Sequence, residues 1–161
     1  KNGTVLYEYT PETKDVLSKD VAYAMVNLLE GVTEYGSGGR LRHTYGKNQT
    51  VYKEIITGYP YELTNPIAGK TGTTQNQSDG WFMGMVPNLV TGVWVGGEDR
   101  SIHFSRLLYG QGAAMALPIW ALYMKKNYAD EELGVSQEAF EEPEEMSINI
   151  DCSKEQEDEN R

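Results

Sequence analysis

The sequence predicts an α+β domain, on three observations. Apolar residues recur at helical spacing after Ser18, three short strand-like runs follow one another between Ile67 and Gly97, and a 12-residue apolar run from Ala113 to Met124 lies beyond them. Two of the strand-like runs are separated only by a short Pro-Asn turn, so the sheet has an antiparallel hairpin and the helices must pack on it.

Residues 1–17 are polar, with Gly3 and Pro11, and read as a turn or short strand leading into a helix. Ser18 is the expected N-cap. Val21, Met25, Leu28, Leu29 and Val32 then form one apolar helical face. Gly31 is expected to end or weaken this helix, and Gly36-Ser37-Gly38-Gly39 to form a flexible loop. Residues 40–64 are Tyr-rich and give no assignment beyond a short helix around Thr50–Thr57. Strand candidates follow at Ile67–Thr74, Gly80–Val86 and Val90–Val95, the last two joined by Pro87-Asn88. Glu98–Ser105 is polar. Gly112–Tyr128 reads as a helix with Ala113, Leu117, Trp120, Ala121 and Met124 on one face and a kink or cap at Pro118. From Asp130 the composition turns acidic, and disorder is expected after Phe140. Residues 1–129 are thus the folded portion and 130–161 an acidic tail.

Charge and cysteine content exclude several functions. The formal net charge of −10 is concentrated at the end of the chain, where Glu138–Arg161 holds 10 acidic and 2 basic residues. A nearly neutral body gives no electrostatic reason to bind a phosphate backbone, so no nucleic-acid partner is expected. The single cysteine, Cys152, excludes an internal disulfide and argues against a cysteine metal site. The longest apolar run falls short of the roughly 20 residues a bilayer requires. A start on Lys1-Asn2-Gly3 suggests a piece of a longer protein.

Gly69-Lys70-Thr71-Gly72-Thr73-Thr74 carries the chemistry. Taken alone it is a Gly-Thr edge strand with a solvated lysine. A phosphate loop is excluded, because that pattern requires glycine at position 64, where Thr64 stands, and a helix straight afterwards, where Gln75–Gly80 reads as a turn. The run also resembles the Lys-Thr-Gly strand of penicillin-recognising serine enzymes, a resemblance that implies an acyl-transfer site for a peptide ending in a carboxylate. Such a site needs a fixed cation, hydroxyl donors and an oxyanion donor. Lys70 supplies the cation, Thr71 and Thr73 lie two apart so their hydroxyls share one side, and Gly72 admits a substrate backbone to an edge strand.

The surrounding residues carry a family resemblance. Asn65 through Thr74, Ser78-Asp-Gly-Trp-Phe-Met-Gly and Leu89 through Asp99 closely resemble the transpeptidase domain of class A penicillin-binding proteins, the bifunctional enzymes that build bacterial peptidoglycan. Ala22–Val32 is similar to that family's helix before a Gly-rich turn, and Gly112–Trp120 to its terminal helix. The resemblance covers roughly residues 18–128, and Gly97–Phe104 looks most like versions from the Bacteroidetes group.

The resemblance implies a partial penicillin-binding/β-lactamase-like fold, with an antiparallel sheet packed with helices. It implies that Lys70, Thr71, Gly72 and Thr73 bind the substrate, and that Lys70 and Thr73 take part in catalysis. Lys70 would polarise the hydroxyl of a Ser-x-Asn motif, Thr71 and Thr73 would hold the substrate carboxylate, and the Thr73 N–H would be half of the oxyanion hole. The family uses no cofactor or metal. Its partners are stem peptides ending in D-Ala-D-Ala, with β-lactams as inhibitors, and it works at the periplasmic face of the bacterial inner membrane through an upstream anchor beside a glycosyltransferase domain. This chain departs from the family pattern in one respect: none of its serines has Lys three positions later, and Ser147-Ile148-Asn149 lies on the wrong side of Lys70. The nucleophile is therefore expected upstream and the isolated chain to be inactive. The missing strands would leave the outer edge of Val90–Val95 open to self-association. A D-Ala carboxypeptidase or serine β-lactamase relative, and a non-catalytic stem-peptide-binding module, are the alternative readings.

Other residues carry less. His103 with Glu98 and Asp99 lacks paired ligand spacing and reads as surface. Trp81 and Trp94 are expected to pack in the core between sheet and helix rather than form a stacking platform. Asp79 reads as a turn former. The sequons at Asn2, Asn48 and Asn76 carry no weight in a bacterial protein.

Overall fold

The structure is a computed structural model that describes residues 7–10, 14–42, 54 and 56–150. Its order is helix α1 (Lys19–Glu34), strands β1 (Ala68–Thr73), β2 (Asp79–Val86) and β3 (Leu89–Gly96), and helix α2 (Gly112–Ala129), with a single helical turn at Leu107–Gly110 ahead of α2. The sheet is antiparallel in the order β1-β2-β3, as the α+β expectation requires.

The alternation of β2 fixes which face is covered. Gly80, Phe82, Gly84 and Val86 are buried, while Trp81 and Met83 are exposed. Helix α2 lies on the buried face, with Ala113, Leu117, Trp120, Ala121 and Met124 turned inward as the helical spacing predicts. The helix runs unbroken through Pro118, which is itself buried. Trp120 is fully buried edge-on to Phe82, with ring centroids 5.2 Å apart. Two glycines make this packing close. A methyl group on Gly84 would fall within the Trp120 ring, and one on Gly112 would collide with the carbonyls of Gly72 and Trp81. Ile56, Tyr59, Tyr61, Leu63 and Ile67 complete the core from the segment ahead of β1, which includes a cis Tyr59-Pro60 bond.

Several expectations are corrected. Trp81 and Trp94 are not core residues: they are 44% and 48% exposed, on the sheet face opposite α2, where their rings lie 6.3 Å apart. The strand parity that buries Phe82 turns Trp81 outward. Helix α1 also buries a different face from the one expected. Val21, Met25 and Leu28 are exposed, and Ala24 and Thr33 are its buried residues. The helix packs mainly beside β1, through a stripe that includes Ala24 and Thr33. Ser18 occupies the N-cap position without a side-chain cap, and Gly31 does not end the helix, which continues to Glu34.

The Gly36–Gly39 segment is a packed turn rather than a flexible loop. Gly38 N–H donates to the Val32 carbonyl at 2.9 Å and Gly39 N–H to the Gly36 carbonyl at 3.1 Å. A side chain on Gly36 would lie 2.8 Å from Val32 Cα, so the glycine serves close approach. Behind it Arg40, Leu41 and Arg42 are buried in a short 3-10 turn and its exit. Of the short helix expected around Thr50–Thr57, only Glu54 and Ile56–Thr57 are described, Glu54 as helical.

Residues 130–150 lack regular structure apart from a 3-10 turn at Glu131–Leu133. Asn88 ties this segment to the β2–β3 turn, donating to the Gly134 carbonyl at 2.7 Å and accepting from the Ser136 N–H at 2.9 Å. Phe140–Glu145 line a groove with α1, and Ser147 donates to the Asp20 carboxylate. Cys152 and the Asn2 and Asn48 sequons lie outside the described residues.

Candidate functional site

Lys70, Thr71, Gly72 and Thr73 all lie on β1, an edge strand of the sheet among the described residues. The hydrogen bond from Thr74 N–H to the Asp79 carbonyl, 3.1 Å, sets the phase of the β1–β2 ladder. Main-chain groups alternate along a strand, so those of Lys70 and Gly72 turn toward β2, and those of Thr71 and Thr73 turn to the open edge. The Thr73 N–H is therefore an outward-facing donor.

Side chains alternate as well. Thr71 pairs with Phe82 and Thr73 with Gly80, so both hydroxyls emerge on the face that α2 covers. Lys70 pairs with Met83 and emerges on the opposite, open face. Its ammonium curls back to the edge and donates to the Thr71 carbonyl at 2.9 Å. Cation and hydroxyls thus leave the strand on opposite faces, and the cation curls back to its outer edge. Gly72 faces Trp81, whose Cβ would be 3.1 Å from a Cβ placed on it, so the cross-strand neighbour also disfavours a side chain here.

Both hydroxyls have partners from outside the sheet, and neither partner stood out in the sequence. Gly112 N–H, at the start of α2, donates to Thr73 Oγ1 at 2.9 Å. Ser37 Oγ, in the glycine turn after α1, lies 2.6 Å from Thr71 Oγ1. The partners are 39 and 34 residues away, which no local pattern reports.

Two further groups fix the ends of β1. Asp79 does more than form a turn. Its carboxylate accepts from Thr74 Oγ1 at 3.0 Å and from Trp94 Nε1 at 3.0 Å, while its N–H donates to Thr74 Oγ1 at 2.9 Å. The bonds from Trp94, then Thr74, hold the carboxyl below its ordinary pKa. At the other end, Arg42 Nη1 donates to the Leu63 and Asn65 carbonyls at 2.6 and 2.5 Å, and Nη2 pairs with Glu34 at 2.6 Å. Asn65 Nδ2 in turn donates to the Tyr128 hydroxyl at 2.9 Å, linking the entry of β1 to the end of α2.

His103 lies at the surface with Nδ1 3.1 Å from the Phe104 carbonyl. Among the described residues no group of three or more His, Cys, Asp or Glu could hold a metal ion, and no helix is long and apolar enough to cross a membrane.

The chain is 33% identical over 153 residues to penicillin-binding protein 1A of Aquifex aeolicus, a match covering 93% of this chain and 17% of that protein. The chain belongs to the penicillin-binding protein family. Penicillin-binding protein 1A of Pseudomonas aeruginosa is 35% identical over 118 residues, 73% of this chain and 12% of its own length. The crystal structure of penicillin-binding protein 1A from Haemophilus influenzae superposes with a TM-score of 0.52 at 25% identity, covering 80% of this chain and 17% of that one. No sequence-family profile matches. The chain therefore spans under a fifth of the penicillin-binding protein 1A relatives it matches.

Proposed function

We propose that this chain is the C-terminal part of a penicillin-binding transpeptidase domain and forms one wall of a site for serine acyl transfer on peptidoglycan stem peptides. The observation that carries the reading is the phase of β1. It directs the Thr73 N–H to a sheet edge that is unpaired among the described residues and to which the Lys70 ammonium curls back, on the strand that also carries the Thr71 and Thr73 hydroxyls.

Each group then has a task set by its chemistry. A D-Ala-D-Ala terminus carries a carboxylate, which the Thr hydroxyls and Lys70 can hold as charge-assisted donors. Attack on the penultimate carbonyl places negative charge on its oxygen, and the Thr73 N–H is one donor for that oxyanion. The second donor is the N–H of the attacking serine, which belongs to an upstream Ser-x-x-Lys segment that this sequence does not contain. Lys70 also polarises the hydroxyl of the upstream Ser-x-Asn motif. The parent protein would carry a glycosyltransferase domain and act at the periplasmic face of the inner membrane, held by an upstream anchor.

Labelling with a fluorescent penicillin tests this, using the longer protein and its Lys70→Ala variant. Strong labelling that falls about a hundredfold in rate on Lys70→Ala supports the reading. Labelling that ignores the substitution removes Lys70 from the site, and no labelling of either protein favours a non-catalytic stem-peptide-binding module. The 161-residue chain alone should form no acyl-serine adduct; an adduct would overturn the assignment of the nucleophile to an upstream segment.

A further inference from the structure

The two hydroxyls of the Lys70–Thr73 strand are held by different kinds of partner. At Thr73 the partner is the Gly112 N–H, 2.9 Å away, which can only donate. Thr73 Oγ1 is therefore the acceptor, and its own proton remains to be given to a ligand. At Thr71 the partner is another hydroxyl, Ser37 Oγ at 2.6 Å, and either oxygen can supply the proton. If Thr71 donates to Ser37, it offers a ligand only lone pairs and repels an anion. If Ser37 donates to Thr71, the Thr71 proton is free for a ligand, in the same sense as at Thr73.

We propose that Ser37 is a positioning residue for the Lys70–Thr73 wall, donating to Thr71 Oγ1 so that Thr71 presents its proton to the carboxylate of the bound peptide. The inference rests on the proposed acyl-transfer site. A carboxylate at the edge selects this direction, because a hydroxyl that accepts one hydrogen bond becomes a better donor in the next. The turn that carries Ser37 is built to hold it. Gly36 N–H donates to the Gly31 carbonyl at 3.2 Å, and Gly38 N–H to the Val32 carbonyl at 2.9 Å. A side chain on Gly36 or Gly38 would press on Val32, so the turn has little room to shift. Ser37 is itself exposed, and its hydroxyl is not needed to fill the core.

Acylation rates of the longer protein with a fluorescent penicillin test the inference, comparing wild type with Ser37→Ala, Ser37→Thr, Thr71→Val, the Ser37→Ala/Thr71→Val double variant and Lys70→Ala. The expected result is a loss of about fivefold to tenfold in Ser37→Ala, the scale of one hydrogen bond, with recovery in Ser37→Thr and an unchanged melting temperature. The double variant should be no slower than Thr71→Val, since Ser37 acts through Thr71. Ser37→Ala at the wild-type rate, penalties that multiply in the double variant, or failure of Ser37→Thr to recover would overturn the role of Ser37 while a slowed Lys70→Ala leaves the site standing. An unlabelled wild type, or a Lys70→Ala as fast as wild type, overturns the site and this inference together.

Discussion

Removing the Arg42 side chain should cost this fold more than any exposed charge, although Arg42 touches none of the groups proposed for catalysis. Its side chain is 5% exposed, while that of its ion-pair partner Glu34 is 47% exposed. The guanidinium donates to two main-chain carbonyls, Leu63 and Asn65, which belong to the segment leading into β1. It also reaches Thr33 Oγ1 at 3.3 Å and Glu34, both in the last turns of α1. Arg42→Ala leaves these acceptors without their donor and opens a hole beneath the turn. Each abandoned carbonyl costs about 1–3 kcal/mol, which with the hole left behind puts the loss at about 3–5 kcal/mol in total. Glu34→Ala removes a half-exposed carboxylate and leaves both carbonyl bonds in place, so it should cost about 1 kcal/mol or less. Arg42→Lys keeps the charge without the planar fork and should fall between them. Urea unfolding of the chain followed by circular dichroism reads these differences, and for a domain of this size the Arg42→Ala loss corresponds to a fall in Tm of roughly 6–20 °C. A loss below about 1 kcal/mol for Arg42→Ala, or one equalled by Glu34→Ala, would refute the reasoning that the carbonyl bonds dominate.

Packing of α2 on the sheet gives a second expectation: Trp120→Ala should cost about 3–5 kcal/mol as a cavity, and Gly84→Ala about 1–3 kcal/mol by overpacking, both read from the urea midpoint. A neutral Gly84→Ala would mean that the Trp120 ring is free to move. The depressed pKa of Asp79 makes its contribution to stability present above the ordinary carboxylate pKa near 4 and lost as pH falls through its lower folded value. Tm measured from pH 6 to pH 2 should therefore fall more steeply in the wild-type chain than in Asp79→Asn, and parallel profiles would contradict the clamp. The outer edge of β3 is unpaired among the described residues, and Val90, Trp81 and Trp94 are exposed. The isolated chain should therefore self-associate as its concentration rises; light scattering that reports a monomer throughout would dismiss this.

How much was legible in the sequence depended on how far each signal reaches. The α2 face was readable because Ala113, Leu117, Trp120, Ala121 and Met124 recur within one helix, and the β2–β3 hairpin because Pro87-Asn88 punctuates two apolar runs. No strand bound differs from its expectation by more than one residue. Periodicity shows that an apolar stripe exists but not what covers it, and Val21, Met25 and Leu28 of that stripe stay exposed. Trp81 and Trp94 were misplaced for a related reason: both faces of β2 and β3 are apolar, and the choice of face is made by α2. Lys70 through Thr73 could be found because their chemistry lies in consecutive residues. Ser37, Arg42 and Gly112 could not, since each acts on main chain or hydroxyls between 21 and 39 residues away. The glycines of residues 36–39 were seen but read as freedom, when Gly36 is there for contact with Val32.

On the proposed function, the outer edge of β1 is the wall against which an acyl-enzyme forms. A crystal structure of the longer protein acylated by a penicillin tests it most directly. The acyl carbonyl oxygen should lie about 2.7–3.1 Å from the Thr73 nitrogen, with the ligand carboxylate beside the Thr71 and Thr73 hydroxyls and Lys70. An acyl group bound elsewhere, with Thr73 N–H turned to solvent or paired with another strand, would contradict it.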